Sequence, residues 1–552
     1  MGTASRLQMY RRFVFGLPPF LRRKPITLDE ARAAIRKGLA EREANFLHIA
    51  RHAIYGNPRS GYRSLLQIAG CELGDIETSV ADNGLEATLD RLRDEGVYVT
   101  FEEYKGRKPL VRGSQTVELH ANAFDNPLTS NAFHGTTGGT TGAGTRVETD
   151  LDNLIAQVPH LMLVRHVHGI LGAPTAIWKG ELPDPVGIGV YLRCMAFGGR
   201  IDRWFTPVTQ AYYRPPLRFR LATRYVVEMS RLFGNPCPPP EPLPLDRAVE
   251  LARWAADAIA RQGRCEVVAA ASLAVRVCLA AAEDGLDLTG AVFVGGGEPF
   301  TAAKNASIRA VGARYAPLYI AEDTGPIGLP CVNPIEENDQ HLLTDNLAMI
   351  QSPREVMDSG IEVDAFYFTS LKPLASKVLL NMESDDYGIA EERSCGCPLD
   401  ELGYHRHVRQ IRSFGKLTGE GVTLVGSDMI RVLEEVLPER IGGGPQDFQL
   451  LEEEDEQGFT RLALLVHPRV DAPGDAEIIE TLLQAIADSS DAGGLASSFW
   501  QQAETFRVRR QEPIWTARGK FMPIRAAAIH NRPGSPGRAP AAAGAGEREP
   551  GS

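Results

Sequence analysis

The sequence has few cysteines, no long uninterrupted apolar run and no surplus of basic residues, and each shortage excludes a class of protein. Eight cysteines in 552 residues are too few for a disulfide scaffold, and no secretory leader pattern is visible, so we expect reduced thiols in a cytoplasmic protein. The apolar residues 269–282 include Arg276 and fall short of the roughly 20 residues of a membrane span, so we expect no stable span. The 59 basic and 70 acidic residues give a net charge of −11, which argues against a dedicated nucleic-acid-binding protein.

Two common catalytic motifs are also missing. No Gly-x-Ser-x-Gly accompanies a histidine, so serine hydrolysis has no support, and no Gly-Lys-Ser/Thr completes a P-loop. The chain is 43% hydrophobic and 23% charged, which provides enough apolar surface for two or three compact units.

Hydrophobic periodicity predicts an α/β main body. Residues 28–52 and 150–163 have helical spacing, residues 245–286 indicate two helices, and residues 291–294 form a buried strand that ends in three glycines. A further strand is predicted at residues 378–382, leading into a polar turn at 385–388. The order of strand, glycines and helix indicates parallel-type connections.

The sequence changes character after residue 411. A short helix is predicted at 429–436, strands at 448–452 and 461–466 around a solvated acidic tip, and an amphipathic helix at 477–486. We therefore expect a helical N-terminal part of a large domain at residues 1–130, its core at 131–412, a smaller α+β domain at 413–529 and a disordered tail at 530–552.

The N-terminal segment is open to two interpretations. Basic residues at 11, 12 and 22–24 surround Phe13, Phe15 and Phe20, which is typical of a weak membrane-surface segment. Pro18 and Pro19 interrupt it and favour a simple packing arm.

Residues 136–146 are the strongest local feature. Their glycines let backbone N–H groups converge and their threonine hydroxyls add donors, which suits a polyphosphate, with Arg146 as a countercharge. On composition alone, a flexible surface loop explains the segment equally well.

The order of further segments resembles the adenylate-forming enzymes. After that loop come Gly296-Gly297-Glu298-Pro299, the segment at 319–328, and Asp385-Asp386-Tyr387-Gly388. Within that superfamily the series is most similar to the phenylacetate–coenzyme A ligase group. Residues 415–437 resemble the family's hinge and residues 516–520 its C-terminal lysine motif, so the resemblance covers roughly residues 131–525.

The resemblance implies a large N-terminal adenylate-forming domain with a smaller, mobile α+β lid, and it implies a role for each matched residue. It implies a small carboxylic acid as substrate, coenzyme A or a carrier-protein thiol as acceptor, and ATP and Mg²⁺ as cofactors. Lys520 would be catalytic, and Glu322 or Asp323 would hold Mg²⁺. The implied nucleotide-binding residues are Thr137, Gly138, Gly139, Thr140, Thr141 and Gly142 for the phosphates, Gly296, Gly297, Glu298 and Pro299 near adenine, Asp386 on the ribose, and Tyr319 and Lys416.

Departures from the family pattern keep other functions open. Gly144 and Thr145 replace the usual Pro and Lys of the loop, and Thr418 and Gly419 replace the paired aspartates of the hinge. The leading function is acyl-adenylate formation with transfer to coenzyme A. The alternatives are transfer to an amine or a carrier protein, or a catalytically weakened nucleotide-binding protein. A homodimer also remains open.

Four soft ligands form a second constellation. Cys331, His341, Cys395 and Cys397 are the right residue types for a closed, structural zinc site, and some relatives of the phenylacetate ligase group carry such a set. His405 and His407 are nearby substitutes. The alternative is a turn with inert reduced thiols.

Overall fold

The computed structural model describes residues 3–106, 108–119, 122–129, 133–136, 146–149, 151–207, 215–233, 235–321, 324–355, 362–413, 416–419, 422–471, 473–488, 491–515, 521 and 523–525. Short π-helical segments lie at Ala50–Tyr55 and Val432–Val436, and a 3-10 turn at Leu245–Arg247. The α-helices are α1 Thr3–Leu21, α2 Leu28–Ala40, α3 Arg42–Ile49, α4 Gly61–Ile68, α5 Leu73–Asn83, α6 Leu85–Asp94, α7 Phe101–Tyr104, α8 Leu151–Val167, α9 Val186–Ala196, α10 Leu217–Leu232, α11 Ala248–Gln262, α12 Ala271–Glu283, α13 Ala302–Arg309, α14 Gly426–Arg431, α15 Leu437–Ile441, α16 Asp475–Ala487 and α17 Asp491–Gln502.

The strands form three larger sheets and three two-stranded ribbons. In chain order they are β1 Leu110–Arg112, β2 Gln115–Val117, β3 Phe133–Thr136, β4 Arg146–Thr149, β5 Thr175–Trp178, β6 Arg203–Thr206, β7 Pro240–Pro242, β8 Cys265–Val268, β9 Ala291–Gly295, β10 Arg314–Pro317, β11 Tyr319–Ala321, β12 Gly325–Pro330, β13 Gln340–Leu342, β14 Leu347–Glu355, β15 Glu362–Ser370, β16 Met382–Glu392, β17 Arg406–Ser413, β18 Lys416–Gly419, β19 Val422–Val425, β20 Phe448–Glu454, β21 Thr460–Val466, β22 Phe506–Arg510 and β23 Ile524–Arg525.

A six-stranded, fully parallel sheet has the order β10-β9-β8-β5-β6-β7. Its central strands β5, β8 and β9 are buried along their whole length. Side chains alternate between two cores: Ala176 and Trp178 pack with α11 and α12, and Ile177 packs with α8 and α9. Burial on both faces explains why β9 is a continuous apolar run, whereas β8 carries Glu266, which is buried in a pair with Arg165.

A seven-stranded antiparallel sheet has the order β11-β12-β13-β17-β16-β15-β14. Its apolar face shares one core with the N-terminal helices, in which Phe46 and Leu89 meet Phe366 and Leu347. The parallel-type connections predicted for the main body therefore describe only one of its two sheets. Strands β12 and β13 are buried at every position, and β14, β15 and β16 are each continuously buried at one end. The sequence therefore lacks the regular alternation that would have indicated the second sheet.

A four-stranded sheet, β22-β21-β20-β23, forms the C-terminal region with α16 and α17 around its own core. The turn between β20 and β21 packs against α12 and α13: Phe459 is buried with the Arg276 guanidinium 4.6 Å from its ring, and Thr301 donates to Glu454 at 2.9 Å. The acidic tip is thus partly a contact surface, whereas the sequence predicted a solvated turn.

Several local predictions are confirmed and others are wrong. The helices predicted at 28–52, 429–436 and 477–486 and the strands predicted at 291–294, 448–452 and 461–466 are present, and the helix predicted at 150–163 is described from Leu151 onward. Strand β8 lies between α11 and α12, where only two helices were predicted. Residues 378–381 are not a strand. The Val378 N–H donates to the carbonyl of Phe124, whereas the Leu379 N–H donates to the side-chain hydroxyl of Ser370 and the Leu379 carbonyl accepts from the Ser370 N–H. None of the described helices has the length and apolar content needed to cross a bilayer.

Candidate active site and metal site

Close packing requires the glycines at the end of β9 and directly after it. A Cβ on Gly295 would lie 1.9 Å from the carbonyl oxygen of Ala269, and one on Gly296 would lie 2.2 Å from that of Leu318. Gly297 has φ +95°, in the left-handed region. The turn is therefore pressed against the carboxyl end of the parallel sheet and against the chain entering β11.

The side chain of Glu298 is used inside the protein. Its carboxylate is fully buried and accepts from the backbone N–H and the hydroxyl of Ser272, both at 2.6 Å, at the start of α12. Lys304 Nζ lies 3.4 Å from the carboxylate and also donates to the carbonyl of Pro299 at 2.9 Å. Burial alone raises the pKa of Glu298, but the Lys304 charge and the Ser272 hydrogen bonds outweigh it and hold the pKa below its ordinary value. Glu298 thus locks the turn onto α12.

Tyr319 and Asp386 meet inside the protein. The Tyr319 hydroxyl donates to Asp386 at 2.8 Å, and the Ser413 hydroxyl donates to the other carboxylate oxygen at 2.5 Å. Burial and the Asp386 charge raise the pKa of Tyr319 well above its ordinary value, so the hydroxyl stays a donor. Asp386 lies within β16 opposite Ser413 of β17, in place of the predicted turn.

Three of the predicted segments are thus brought together. A Cβ on Gly296 would also lie 3.2 Å from the side chain of Ile320, so the glycine turn contacts β11, whose Tyr319 binds Asp386. Ser272, Ser413 and Lys304, which complete this arrangement, have no motif that sequence analysis could have found.

Other predicted site residues lie outside the described residues. These are Thr137, Gly138, Gly139, Thr140, Thr141, Gly142, Glu322, Asp323 and Lys520. Lys416 begins β18, which pairs with β19 as an antiparallel ribbon.

The four predicted metal ligands form one cluster. Cys331 follows β12, His341 lies in β13, and Cys395 and Cys397 lie between β16 and β17. The four ligand atoms all lie within 4.8 Å of one another: Cys331 and Cys395 Sγ are 3.6 Å apart, and His341 Nε2 is 3.1 Å from Cys397 Sγ and 3.6 Å from Cys395 Sγ. Tetrahedral zinc with bonds of about 2.3 Å to sulfur would separate two thiolates by about 3.8 Å. The donor set therefore fits a closed four-ligand site.

The surroundings of the cluster prepare it for a cation. His341 Nδ1 donates to the carbonyl of Tyr404 at 2.7 Å, which leaves the lone pair of Nε2 directed at the sulfurs. The hydrogen bond from the Cys331 thiol is the largest of the effects that lower the pKa of Cys397 to about 3, against the burial of this side chain. Asp400 accepts from Gly396 N–H and Ser394, and so orders the Cys395–Cys397 turn.

The two histidines considered as substitute ligands differ. His405 is exposed and pairs with Asp400 at 2.6 Å. His407 is fully buried, with its ring centroid 4.1 Å from that of His341 and its Nδ1 2.8 Å from Asp339. Within the described part of the chain its Nε2 has no hydrogen-bond partner.

Comparisons with known proteins find structural likenesses only. No protein-family model and no curated protein matches the chain. A 2-hydroxyisobutyryl-CoA ligase in the postadenylation state is 13% identical, with 92% of this chain and 91% of that chain covered and a TM-score of 0.41. A malonyl-CoA ligase with methylmalonyl-CoA and AMP bound is 14% identical, with 73% of this chain and 75% of that chain covered and a TM-score of 0.42. The amide bond synthetase McbA from Marinactinospora thermotolerans is 14% identical, with 89% of this chain and 97% of that chain covered and a TM-score of 0.39. All three TM-scores are below 0.5.

Proposed function

We propose that this protein activates a carboxylic acid with ATP and transfers the acyl group to coenzyme A. In the first step a carboxylate oxygen attacks the α-phosphorus of ATP, the bond to the β-phosphate oxygen breaks, and pyrophosphate leaves. In the second step the thiol sulfur attacks the acyl carbon, AMP leaves with the bridging oxygen, and the thiol proton passes to solvent.

The observation that carries the proposal is the convergence of the glycine turn, Tyr319 and Asp386. These residues are far apart in sequence, and a chance resemblance would give no reason for them to be in contact. The turn also lies at the carboxyl end of a parallel sheet, the edge at which nucleotides bind in open α/β folds. Its exposed backbone is where we place the adenine.

Asp386 suits the two ribose hydroxyls. An ionised carboxylate can accept about four hydrogen bonds, and the bonds from Tyr319 and Ser413 fix the orientation of Asp386. Glu298 acts differently: because its carboxylate is committed to Ser272 and Lys304, it is a positioning residue for the turn.

The remaining roles rest on the resemblance. Lys520 would bring an ammonium to the carboxylate and the α-phosphate, where negative charge grows in the transition state. Residues 137–142 would cradle the β- and γ-phosphates. Bound Mg²⁺ at Glu322 or Asp323 would neutralise phosphate charge.

Exchange of labelled pyrophosphate into ATP, with a panel of aryl and aliphatic acids, tests the first step. Asp386→Asn should raise the KM for ATP by about 10- to 100-fold, since a hydrogen bond to a charged group is lost. Asp364→Asn is the matched control, because Asp364 is exposed on the neighbouring strand β15. Lys520→Ala should lower the exchange rate at least ~100-fold. Absence of exchange with every acid would leave the weakened nucleotide-binding alternative.

The acceptor is tested separately. With an acid that supports exchange, AMP release that requires coenzyme A supports the ligase. Release that requires an amine or a carrier protein, and is unaffected by coenzyme A, would replace this half of the proposal and leave adenylation intact.

We also propose that Cys331, His341, Cys395 and Cys397 bind one structural zinc ion. All four positions would be filled by protein, so the ion would hold together the ends of β12, β13 and β16 without catalysing a reaction. Metal analysis should find about one zinc per chain, and Cys397→Ser should lose most of it and unfold at lower temperature. Cys71→Ser changes a buried thiol that is distant in sequence from the cluster, so this variant should keep its zinc. A substoichiometric zinc content after growth with zinc would exclude the site.

A further inference from the structure

Helices α1 and α10 lie side by side on one surface of the protein. The rings of Phe13 and Tyr225 are 6.4 Å apart, and the Tyr225 hydroxyl donates to the carbonyl of Val14 at 2.7 Å. Farther along, the Arg22 guanidinium lies 4.5 Å from the ring of Phe233. Leu17 and Phe20 are buried beneath this contact, so the inner side of α1 is the predicted packing arm.

The outer side is unusually apolar. Phe15, Leu217, Leu221 and Leu232 are 69%, 64%, 57% and 70% exposed, the highest values among the large apolar side chains that the structure describes. At 100° per residue, the three leucines lie within an arc of about 60° on α10. They therefore form one stripe along the helix, and Phe15 is exposed on the neighbouring helix α1.

The same face is strongly basic. Residues 11–24 and α10 together contain nine basic residues and one acidic residue, a net charge of +8 in a chain whose total is −11. Arg220, Arg224 and Arg231 follow one edge of the leucine stripe, and Arg218 lies on the other. Four carboxylates lie near this charge: Asp152 pairs with Arg23, Glu228 pairs with Arg231, and Glu181 and Glu30 interact with Arg220 and Lys24. Glu228 is already counted in the +8, so the other three reduce the net charge of the face to about +5, which is still positive.

We propose that this α1–α10 face, residues 11–24 with α10, binds the surface of an anionic lipid bilayer. The exposed Phe and Leu side chains would enter the boundary between headgroups and acyl chains, and the arginines would bind lipid phosphates. Such binding needs both exposed apolar side chains and basic residues, and this face has both. Attachment is peripheral, which agrees with the lack of a spanning helix among those described.

The charge distribution argues for lipid over the other occupants. A second copy of the chain, joined through this face by a two-fold axis, would place two positively charged surfaces against each other. A nucleic acid would bind the arginines but would leave the leucine stripe exposed, because leucine side chains cannot form hydrogen bonds with phosphates or base edges. An anionic bilayer matches both the charge and the apolar side chains.

The test is co-sedimentation of the full-length protein with phosphatidylcholine vesicles, with and without phosphatidylglycerol, at low and high salt. We expect binding that requires phosphatidylglycerol and weakens with salt. Arg220→Gln with Arg224→Gln should lower the partition coefficient about 30-fold, at roughly fivefold per basic side chain. Leu217→Ser with Leu221→Ser should lower it at both salt concentrations.

Matched controls separate this face from general surface properties. Arg261→Gln with Arg440→Gln removes the same charge elsewhere, and Ile335→Ser with Leu374→Ser removes exposed apolar side chains elsewhere. These variants should bind vesicles like the parent, and unchanged melting temperatures will show that every variant is folded.

Three results would overturn the proposal. These are no binding to phosphatidylglycerol vesicles at low salt, equal binding to neutral vesicles, and equal losses in the control variants. If light scattering without vesicles shows a dimer that the leucine variants dissociate, while no variant changes sedimentation, the face is a subunit interface.

Discussion

The ion pair between Glu298 and Lys304 offers a quantitative test of how the glycine turn is held. Both side chains are at most 1% exposed, and their charged atoms are 3.4 Å apart. Glu298→Gln leaves the Lys304 ammonium buried with the carbonyl of Pro299 as its described partner, and removal of one member of a buried pair costs about 3–5 kcal/mol. We expect a loss of that size in the free energy of unfolding.

Lys304→Met should cost less than Glu298→Gln. The Glu298 carboxylate keeps two donors from Ser272 at the positive end of α12. Met also fills the space of the aliphatic part of the lysine side chain. That part packs closely against Gly458, since a Cβ added to Gly458 would lie 2.7 Å from Lys304 Cγ. The double variant has no unpaired buried charge, so it should be more stable than Glu298→Gln alone, with a coupling free energy of about 1.5–3 kcal/mol.

Urea unfolding followed by tryptophan fluorescence measures these differences, with Glu250→Gln as control because Glu250 forms an exposed pair with Arg247. The control should change stability by less than about 1 kcal/mol. The pKa of Glu298 is lowered in the folded protein, so its contribution is present above its unfolded pKa of about 4.3 and is lost as pH falls below that value. The penalty of Glu298→Gln should therefore shrink on acidification. Additive penalties within about 0.5 kcal/mol would refute the reasoning.

Three further predictions concern other parts of the molecule. Gly296→Ala should abolish pyrophosphate exchange, since its Cβ would lie 2.2 Å from a backbone carbonyl, whereas Gly74→Ala, with no atom within 4 Å, should leave exchange unchanged. Tyr319→Phe should weaken ATP binding about 10-fold, measured by calorimetry, because Asp386 loses a charge-assisted hydrogen bond; unchanged affinity would separate Tyr319 from the site. The pKa of Asp345 is lowered by His160 and Lys372 against its burial, so its stabilisation is present above about pH 3.9 and is lost below. Asp345→Asn should thus cost most at neutral pH and little in acid urea unfolding, and a pH-independent cost would contradict this.

Local patterns predicted the elements whose environment is uniform. Strand β9 is buried at every position and α16 presents one apolar face, so composition and periodicity identify both. Strand β8 was missed because Cys265–Val268 is only four residues long and lies between two strongly helical segments. Strand β16 was misplaced because its first half is polar yet buried, including Asp385 and Asp386, which pattern analysis assigns to a turn.

Residue types predicted the contents of the candidate site, but not the function of each side chain. Glu298 belongs to a motif, and the sequence gives no sign that its carboxylate binds Ser272, 26 residues earlier. Asp386 is oriented by Ser413, 27 residues later and across a strand pair of the sheet that was not predicted. Such roles depend on which strands are neighbours, and that is decided by long-range packing.

In the metal cluster, too, residue types predicted which side chains take part, whereas the surrounding structure decides what each of them can do. The four ligands were grouped from their residue types together with the resemblance to relatives of the phenylacetate ligase group. Whether His341 can bind a cation depends on the direction of Nε2, and that direction is fixed by a backbone carbonyl at Tyr404, which any residue type could supply. A set of metal ligands can therefore be identified from sequence, whereas its ability to bind a cation depends on backbone groups that carry no sequence signal. The same holds for the glycine turn, where the atoms closest to an added Cβ are the backbone carbonyl oxygens of Ala269 and Leu318.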